Sequence, residues 1–224
     1  MTQENVLYSF RRCPYAMRAR WALIRCKKSV MIREVDLKDK PIELVRLSHK
    51  ATVPVLITKE EFVIDESLDI IKWALSNSTY CQDIFYNSKK NEDEVSSLIV
   101  QNDNKFKYHL DRFKYASRFT NCDPISHKNE AIKILSEWND KLSKSEQIGS
   151  RIWLVSNKET IADWSIWPFV RQYYIADPNL FKRNTDLKYI HKWIYKYLNQ
   201  SNFRKLMFKN KVWKKEDEPT WLKL

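Results

Sequence analysis

The stretch SFRRCPYAMRARWALIRC, residues 9–26, places a single cysteine where a strand pattern gives way to a helix pattern. The run NVLYSF leading into it has the short apolar pattern of a strand, and YAMRARWALIRCKK after the cysteine has helical spacing. Pro14 suits the first position of a helix, because its missing N–H would have no intrahelical partner there. The sequence therefore predicts that Cys13 lies at the amino end of the first helix.

Cys13 in this position has the properties of a nucleophile. Unpaired backbone N–H groups and the positive end of the helix dipole favour the thiolate, and they lower the pKa of such a thiol from about 8.5. Arg11 and Arg12 add to this effect if their side chains turn toward the sulfur. Free cysteine is also one of the most often buried residue types, so a Cys-Pro pair alone is weak evidence. Its place between a strand and a helix makes a reactive thiol the preferred interpretation.

Strand and helix patterns alternate through the first 80 residues. SVMIREVDL predicts a second strand, PIELVRLS a second helix opened by Pro41, VPVLIT and EFVID a hairpin, and SLDIIKWALS a third helix. The predicted order is βαβαββα. The residues of the first helix expected to face the sheet are Ala19, Leu23 and Cys26. Those expected to face solvent are Arg18, Arg25 and Lys28.

The remainder of the chain is predicted to be helical. After residue 87 the strand pattern disappears, and helical patterns cover roughly 91–118, 127–146, 160–176 and 186–198, with a shorter one near 200–208. Thr160 and Asp163 match a capping box at the start of an apolar helix, which is a structural feature. We therefore expect an α/β domain over residues 1–78 and an all-helical domain over residues 88–224, with a linker at 77–88.

The composition is typical of a folded chain without export or membrane signals. Hydrophobic residues make up 43% of the 224 residues, which is enough for a substantial core. No run is long and apolar enough for a membrane span, and the N-terminus lacks a signal-peptide pattern, so we expect a cytoplasmic protein. Gly149 is the single glycine, which excludes glycine-rich phosphate loops, and turns are expected to use residues such as Asn77. The cysteines have neither metal-site spacing nor an export signal, so we expect reduced thiols and no metal at Cys13, Cys26, Cys81 and Cys122.

Several motifs together resemble the glutathione transferase superfamily. They are CPYA after a short strand, VPVL at 53–56, DES at 65–67 and the βαβαββα order. The similarity is closest to the omega-type cysteine enzymes and to the larger two-domain glutaredoxins, and it covers the first domain in detail. It implies a thioredoxin-like first domain, a helical second domain and glutathione as co-substrate. The sequence LSHKAT departs from the usual Asn-Pro of the family, and it leaves open whether His49 and Lys50 bind ligand or are merely exposed.

The resemblance implies a glutathione site in the first domain. It implies that Val53-Pro54 is a cis peptide and that the Val53 backbone pairs with the cysteinyl part of glutathione. Glu66 and Ser67 are implied to hold the γ-glutamyl end, which suits helix amides and opposite charges. Lys40 is implied to contact the glycyl end, although an ordinary surface role also explains it. The full set of implied contacts is Pro14, Tyr15, Lys40, Val53, Pro54, Glu66 and Ser67.

The chemistry expected from this site is that of a single thiol. Ala16 stands where dithiol glutaredoxins carry a second cysteine, so the local dithiol route is closed. Cys26 is thirteen residues beyond Cys13 on the same helix, about 20 Å away, which is too far for a disulfide. A monothiol route remains, for deglutathionylation, dehydroascorbate reduction or reduction of an S-glutathionyl adduct, with breakage of an S–S or a C–S bond left open. Glutathione conjugation, with a hydroxyl supplied by Tyr8 or Ser9, is the second enzyme interpretation.

The helical domain is expected to contribute the site for a small electrophilic or disulfide substrate, between the two domains. The aromatic residues that could line it are Phe106, Tyr108, Phe113 and Tyr115, although core packing is the better explanation for most of them. Related two-domain proteins dimerise, so the resemblance also implies a homodimer.

The main alternative is a non-catalytic binding module with a transferase-like fold, as in stringent-starvation regulators that contact RNA polymerase. Between Lys182 and Lys215 the sequence has eleven Lys or Arg residues and one acid, Asp186. Such a stripe could contact nucleic acid or a polymerase, but a solvated helical face explains it more simply. The combination of Cys13 with the VP and ES motifs favours the enzyme.

Overall fold

The computed structural model describes residues 4–76, 78–147 and 152–224. Asn77, expected at a break, and Gly149, the single glycine, lie outside these residues. The chain divides into two compact units. The first contains the residues up to Gln82 together with Gln200–Leu224, and the second is Asp83–Asn199.

The first unit has the βαβαββα order that the sequence predicts. Its elements are β1 (Val6–Ser9), α1 (Pro14–Arg25), β2 (Met31–Glu34), α2 (Ile42–Leu47), β3 (Val55–Ile57), β4 (Val63–Ile64) and α3 (Ser67–Ser76). The sheet order is β2-β1-β3-β4, with β1 parallel to β2 and β3 antiparallel to both β1 and β4. Leu7 of β1 is paired with Ile32 on one side and Leu56 on the other. This is the thioredoxin-like arrangement, in which the central strand ends just before Cys13.

Helix α1 is buried on more of its surface than the sequence predicts. Ala19, Leu23 and Cys26 are buried as expected. Arg18, expected to face solvent, is only 2% exposed, so that prediction is wrong. Helix α1 packs against α3 and also against α11 (Ser201–Leu206), and these two neighbours together cover faces that one sheet would leave open.

The last 25 residues pack with the first unit. Beyond α11 the chain runs along β2, the edge strand of the sheet. The Trp213 N–H donates to the Glu34 carbonyl at 2.8 Å, and the Ile32 N–H donates to the Thr220 carbonyl at 2.7 Å. The sequence pattern predicts a helical domain over 88–224. The structure instead groups this C-terminal segment with the sheet, where it satisfies backbone groups that an edge strand leaves unpaired.

The second unit is helical wherever the structure describes it. It contains most of α4 (Gln82–Lys90), followed by α5 (Glu92–Val100), α6 (Lys107–Lys114), α7 (Pro124–Gln147), α8 (Ile161–Ala176), α9 (Pro178–Arg183) and α10 (Lys188–Leu198). A π-helical segment, Gln101–Phe106, joins α5 to α6. The predicted linker at 77–88 is largely helical from Gln82 onward, because Ile84 is buried and anchors α4.

Asp163 connects three segments of the helical unit. One of its carboxylate oxygens accepts hydrogen bonds from the Thr160 N–H at 3.0 Å and the Thr160 hydroxyl at 3.1 Å. The other accepts from the Leu154 N–H and the Trp193 ring N–H, each at 3.0 Å. The predicted capping box is therefore present, and its carboxylate also holds the preceding loop and α10. Asp163 has no exposed surface. Water therefore cannot readily replace its carboxylate as the acceptor for these donors.

Replacing this carboxylate is expected to destabilise the protein strongly. Asp163→Ala leaves buried backbone and indole N–H groups without an acceptor, which should lower the free energy of unfolding by roughly 3–5 kcal/mol. The measurement is denaturant unfolding followed by circular dichroism.

Asp177→Ala is the matched control, because Asp177 accepts a single cap bond from the Leu180 N–H at the start of α9. Loss of this cap bond should lower the free energy of unfolding by about 1 kcal/mol. Equal losses in the two variants would contradict the role assigned to Asp163.

Candidate functional site

Cys13 lies at the amino end of α1, as the sequence predicts. It is the N-cap residue, with extended backbone at φ −73° and ψ 124°, and Pro14 is the first residue of the helix. The Cys13 carbonyl accepts the Met17 N–H at 2.8 Å, and the Cys13 N–H donates to the Phe10 carbonyl at 3.1 Å. Its side chain is partly exposed. Cys13 therefore lies at the end of the helix where the first-turn amides are unpaired, and its side chain is partly accessible to a reagent.

The backbone at Val53 is adjacent to this sulfur. Cys13 Sγ lies 3.8 Å from the Val53 carbonyl oxygen, within reach of a weak S–H···O hydrogen bond. The Val53-Pro54 bond is cis, as the family resemblance implied. Val53 precedes β3 by two residues. The thiol thus faces a turn of backbone where an extended peptide could pair with the chain.

The sequence did not reveal two charged residues that bind the backbone of Arg11, in the loop that leads to Cys13. Arg20 is fully buried, and its guanidinium donates to the Arg11 carbonyl at 2.7 Å. Glu34, at the end of β2, accepts the Arg11 N–H at 2.7 Å. The available signal was the spacing of seven residues between Cys13 and Arg20, which places both on one face of a helix.

The amino end of α3 carries the two residues implied to hold the γ-glutamyl group. Ser67 is the first residue of α3 and is buried, and its hydroxyl accepts from Arg18 Nε at 2.9 Å. Glu66 precedes it, is exposed, and pairs with the Lys50 ammonium. The carboxylate raises the pKa of Lys50, because it stabilises the charged amine. Lys50, which the sequence analysis left open, therefore has a partner at this site.

Tyr15 and Lys40 have different surroundings. The Tyr15 ring is partly buried, and the Arg18 guanidinium carbon lies 4.9 Å from its centroid. Arg18 thus contacts both Tyr15 and Ser67. Lys40 is exposed in the segment between β2 and α2, so its proposed contact with the glycyl end stays a prediction.

Tyr8 and Ser9, the candidates for a conjugating hydroxyl, are both fully buried. The Tyr8 hydroxyl accepts a hydrogen bond from Arg33, and its ring packs edge-on against Trp213 with 5.8 Å between centroids. Burial raises the pKa of Tyr8. The hydroxyl is therefore engaged inside the unit, whereas the thiol of Cys13 is accessible.

The other cysteines are in different environments. Cys26 and Cys81 are buried close together, with Cys81 Sγ 3.2 Å from the Arg25 carbonyl. The neighbouring Cys81 thiol, together with burial, raises the pKa of Cys26. Cys122 is partly exposed, and its thiol lies 3.5 Å from the Arg112 carbonyl. Cys26 is a core residue, as expected.

The aromatic residues proposed for a second-substrate pocket do not share one environment. Phe106 has no exposed surface and packs between Trp138 and Tyr173, with centroids 5.0 and 6.2 Å away. It is a core residue of the helical unit, so the expectation that it lines a pocket is wrong. Tyr108 is 46% exposed and Phe113 is partly buried. For these two residues the pocket stays a prediction.

Comparison with known proteins agrees with this architecture. The family model for the N-terminal domain of glutathione S-transferases matches residues 7–79. The chain has the glutathione transferase fold. Among solved transferase-fold structures, Ure2p in complex with glutathione superposes with a TM-score of 0.76 at 16% identity, covering 92% of this chain and 95% of that one. No curated protein sequence matches the chain.

Two further transferase structures are similar. An unclassified glutathione S-transferase from Bombyx mori has a TM-score of 0.75 and 18% identity, covering 91% of this chain and 92% of its own. The glutathione transferase URE2P8 from Phanerochaete chrysosporium, solved with oxidised glutathione, has a TM-score of 0.72 and 20% identity. The match covers 92% of this chain and 94% of that one. The family-model match confirms the resemblance over the first domain, and the solved structures confirm the fold.

The described residues contain neither a metal-binding cluster nor a membrane-spanning helix. Within ranges 4–76, 78–147 and 152–224, no group of three or more His, Cys, Asp or Glu side chains is placed to hold a metal ion. In the same part of the chain, none of the helices combines the length and apolarity that crossing a bilayer requires.

The geometry predicts which thiol reacts first. Brief treatment of the folded protein with iodoacetamide near neutral pH is expected to alkylate Cys13 ahead of the other cysteines, because its sulfur is accessible and lies at a helix N-terminus. Peptide mass spectrometry at successive times measures the order. Cys13→Ser should remove the fast phase and leave the slow ones unchanged. Faster labelling of Cys26 or Cys81 would contradict the structure, since both are less than 5% exposed.

Proposed function

We propose that this protein is a glutathione-dependent thiol transferase in which Cys13 acts as a single nucleophilic thiol. The observation that carries the proposal is the position of Cys13 Sγ, accessible at the amino end of α1 and 3.8 Å from the Val53 carbonyl. If glutathione binds along the Val53 backbone, its cysteinyl sulfur would lie next to the Cys13 thiolate.

Glutathione is proposed to bind as an extended peptide against the Val53 backbone. Its α-carboxylate would be held by the Ser67 hydroxyl and the free amides of α3, and its α-ammonium by Glu66. Pro14, Tyr15 and Pro54 would flank the tripeptide, with Lys40 at the glycyl end. Ure2p and URE2P8, solved with glutathione and oxidised glutathione respectively, support this ligand class at the level of the fold.

The proposed reaction is a two-step thiol–disulfide exchange. The Cys13 thiolate attacks the glutathione sulfur of a mixed disulfide, the S–S bond breaks, and the substrate leaves as a thiolate that takes up a proton. The thiolate of a second glutathione then attacks the glutathionyl sulfur on Cys13, releasing glutathione disulfide and the Cys13 thiolate. No second cysteine is needed, in keeping with Ala16 at the CPYA motif and the distance to Cys26. Reduction of dehydroascorbate or of a carbon-linked adduct would use the same thiolate.

Two observations favour this chemistry over conjugation. The Tyr8 hydroxyl is committed to Arg33 and Ser9 is fully buried, so neither side chain presents a free hydroxyl to an incoming sulfur. The Cys13 thiol, by contrast, is accessible. Conventional conjugation therefore remains the secondary enzyme proposal.

A binding module is the alternative from a different functional class. The nitrogen regulation fragment of the yeast prion protein Ure2p has the same fold, with a TM-score of 0.77 at 16% identity, and fold alone does not determine activity. The basic residues at 182–215 give this alternative less support than their number suggests. Lys192 pairs with Glu146 at 2.8 Å and Lys211 with Asp217 at 2.7 Å, as expected of solvated surface charges. A homodimer and a cytoplasmic location stay predictions.

The test is the mass of the purified protein after treatment with oxidised glutathione. We expect the wild-type protein to gain one glutathionyl group on Cys13, and reduced glutathione to remove it. Cys13→Ser should gain none. Ser67→Ala should form the adduct roughly tenfold more slowly at low glutathione disulfide concentration, because a charge-assisted hydrogen bond of about 1.5 kcal/mol or more is lost.

Thr79→Ala is a suitable control, since Thr79 is an exposed residue of the first unit outside the proposed site. It should behave like the wild-type protein. An unmodified Cys13, or an adduct that forms equally fast in Ser67→Ala, would count against the proposed site. Salt-sensitive binding of nucleic acid by a protein without any thiol reactivity would favour the binding module.

A further inference from the structure

Two charged side chains are buried next to the Cys13 loop, and the proposed reaction does not use either of them directly. Arg20 has no exposed surface and Glu34 is 7% exposed. Burying charges is costly unless they are paired or hydrogen-bonded, and replacing such pairs with apolar residues is often neutral or stabilising. Their presence beneath a candidate nucleophile therefore needs an explanation other than stability.

Arg20 and Glu34 bind the two backbone polar groups of one residue, Arg11. The Arg20 guanidinium donates to the Arg11 carbonyl, and Glu34 accepts the Arg11 N–H, each at 2.7 Å. Cys13 itself is bonded back to the Phe10 carbonyl. The loop that delivers Cys13 to α1 is thus anchored by a helix residue and a strand residue. A change at either anchor would alter the direction of the Cys13 side chain.

Arg20 also interacts with Cys13 through its charge. Arg20 lies seven residues after Cys13 on α1, and helical side chains lean toward the amino end, which brings the guanidinium toward the sulfur. Burial lowers the pKa of Arg20 to about 10, with Glu34 and Cys13 acting in the opposite direction, so the group is still charged at neutral pH. Burial raises the pKa of Glu34, opposed by the Arg11 N–H and by Arg20.

Some polar atoms of Arg20 and Glu34 make no hydrogen bond within the described part of the chain. There, Nε and Nη1 of Arg20 have no hydrogen-bond partner, and neither has one carboxylate oxygen of Glu34. Arg11 and Arg12 of the same loop act on Glu34 through their charges, and Tyr8 of β1 belongs to the cluster that packs against Cys13. The rest of the cluster that packs with Cys13 is apolar and comes from α1, α2, the C-terminal segment, and strands β1, β2 and β3 with residues next to them.

We propose that Arg20 is a positioning residue for Cys13, fixing the Phe10–Arg12 loop and holding a buried positive charge beside the sulfur, with Glu34 as the opposing charge. This proposal rests on the proposed role of Cys13 as the reacting group. In this proposal Arg20 and Glu34 have opposite effects on the pKa of Cys13. Arg20 favours the thiolate, and Glu34 opposes it while keeping Arg20 buried.

The experiment is the pH dependence of Cys13 alkylation by iodoacetamide in the purified full chain, without glutathione. In Arg20→Met we expect the midpoint of the profile to rise by about one pH unit, which is about a tenfold slower reaction below the midpoint. Arg20→Lys should restore most of the wild-type midpoint, because it keeps the charge. Glu34→Gln should lower the midpoint, because it removes the negative charge and keeps an acceptor for the Arg11 N–H.

Arg25→Met is the matched control. It removes one arginine charge from the same helix, about 18 Å from Cys13, and should leave the midpoint unchanged. A wild-type midpoint in Arg20→Met, or a shift of Glu34→Gln in the same direction as Arg20→Met, overturns the proposal. If Arg20→Met does not fold, Glu34→Gln decides. A lower midpoint supports the proposal, and an unchanged or higher one overturns it. Since the readout needs no glutathione, a negative result is separable from failure of the proposed function.

Discussion

The contact between the amino end of α1 and the backbone at Val53 is the feature on which the site depends. One side supplies a thiol at the unpaired amides of a helix, and the other supplies a backbone carbonyl 3.8 Å from the sulfur. Neither side is sufficient alone, because a Cys-Pro pair is weak evidence of a reactive thiol and a strand edge is not specific for glutathione. Their juxtaposition in a glutathione transferase fold is what suggests exchange chemistry between Cys13 and a bound tripeptide.

Local sequence pattern predicted the elements around this contact well. Pro14 can begin a helix but cannot continue one, so the position of Cys13 followed from chemistry within one turn. The strand and helix order followed from periodicity, and Thr160 with Asp163 marked the start of α8. The cis Val53-Pro54 bond was predicted from family resemblance alone, since only a small fraction of X-Pro bonds are cis.

The features that the sequence analysis missed depend on contacts between distant segments. Arg18 was expected in solvent because arginine is usually exposed, but it is buried and its Nε donates to the Ser67 hydroxyl, 49 residues away. The return of residues 200–224 to the sheet depends on the open edge of β2, which helical periodicity in the C-terminal half does not reveal. The core position of Phe106 could not be predicted from local sequence, because the aromatic residues that pack against it, Trp138 and Tyr173, come from other helices.

The most direct measurement of the central claim is a crystal structure of the protein treated with oxidised glutathione. The account predicts a disulfide bond between Cys13 Sγ and the glutathione sulfur, with the tripeptide backbone paired to Val53 and its γ-glutamyl carboxylate at Ser67. Glutathione absent from this position, or joined to another cysteine while Cys13 remains a free thiol, would contradict it.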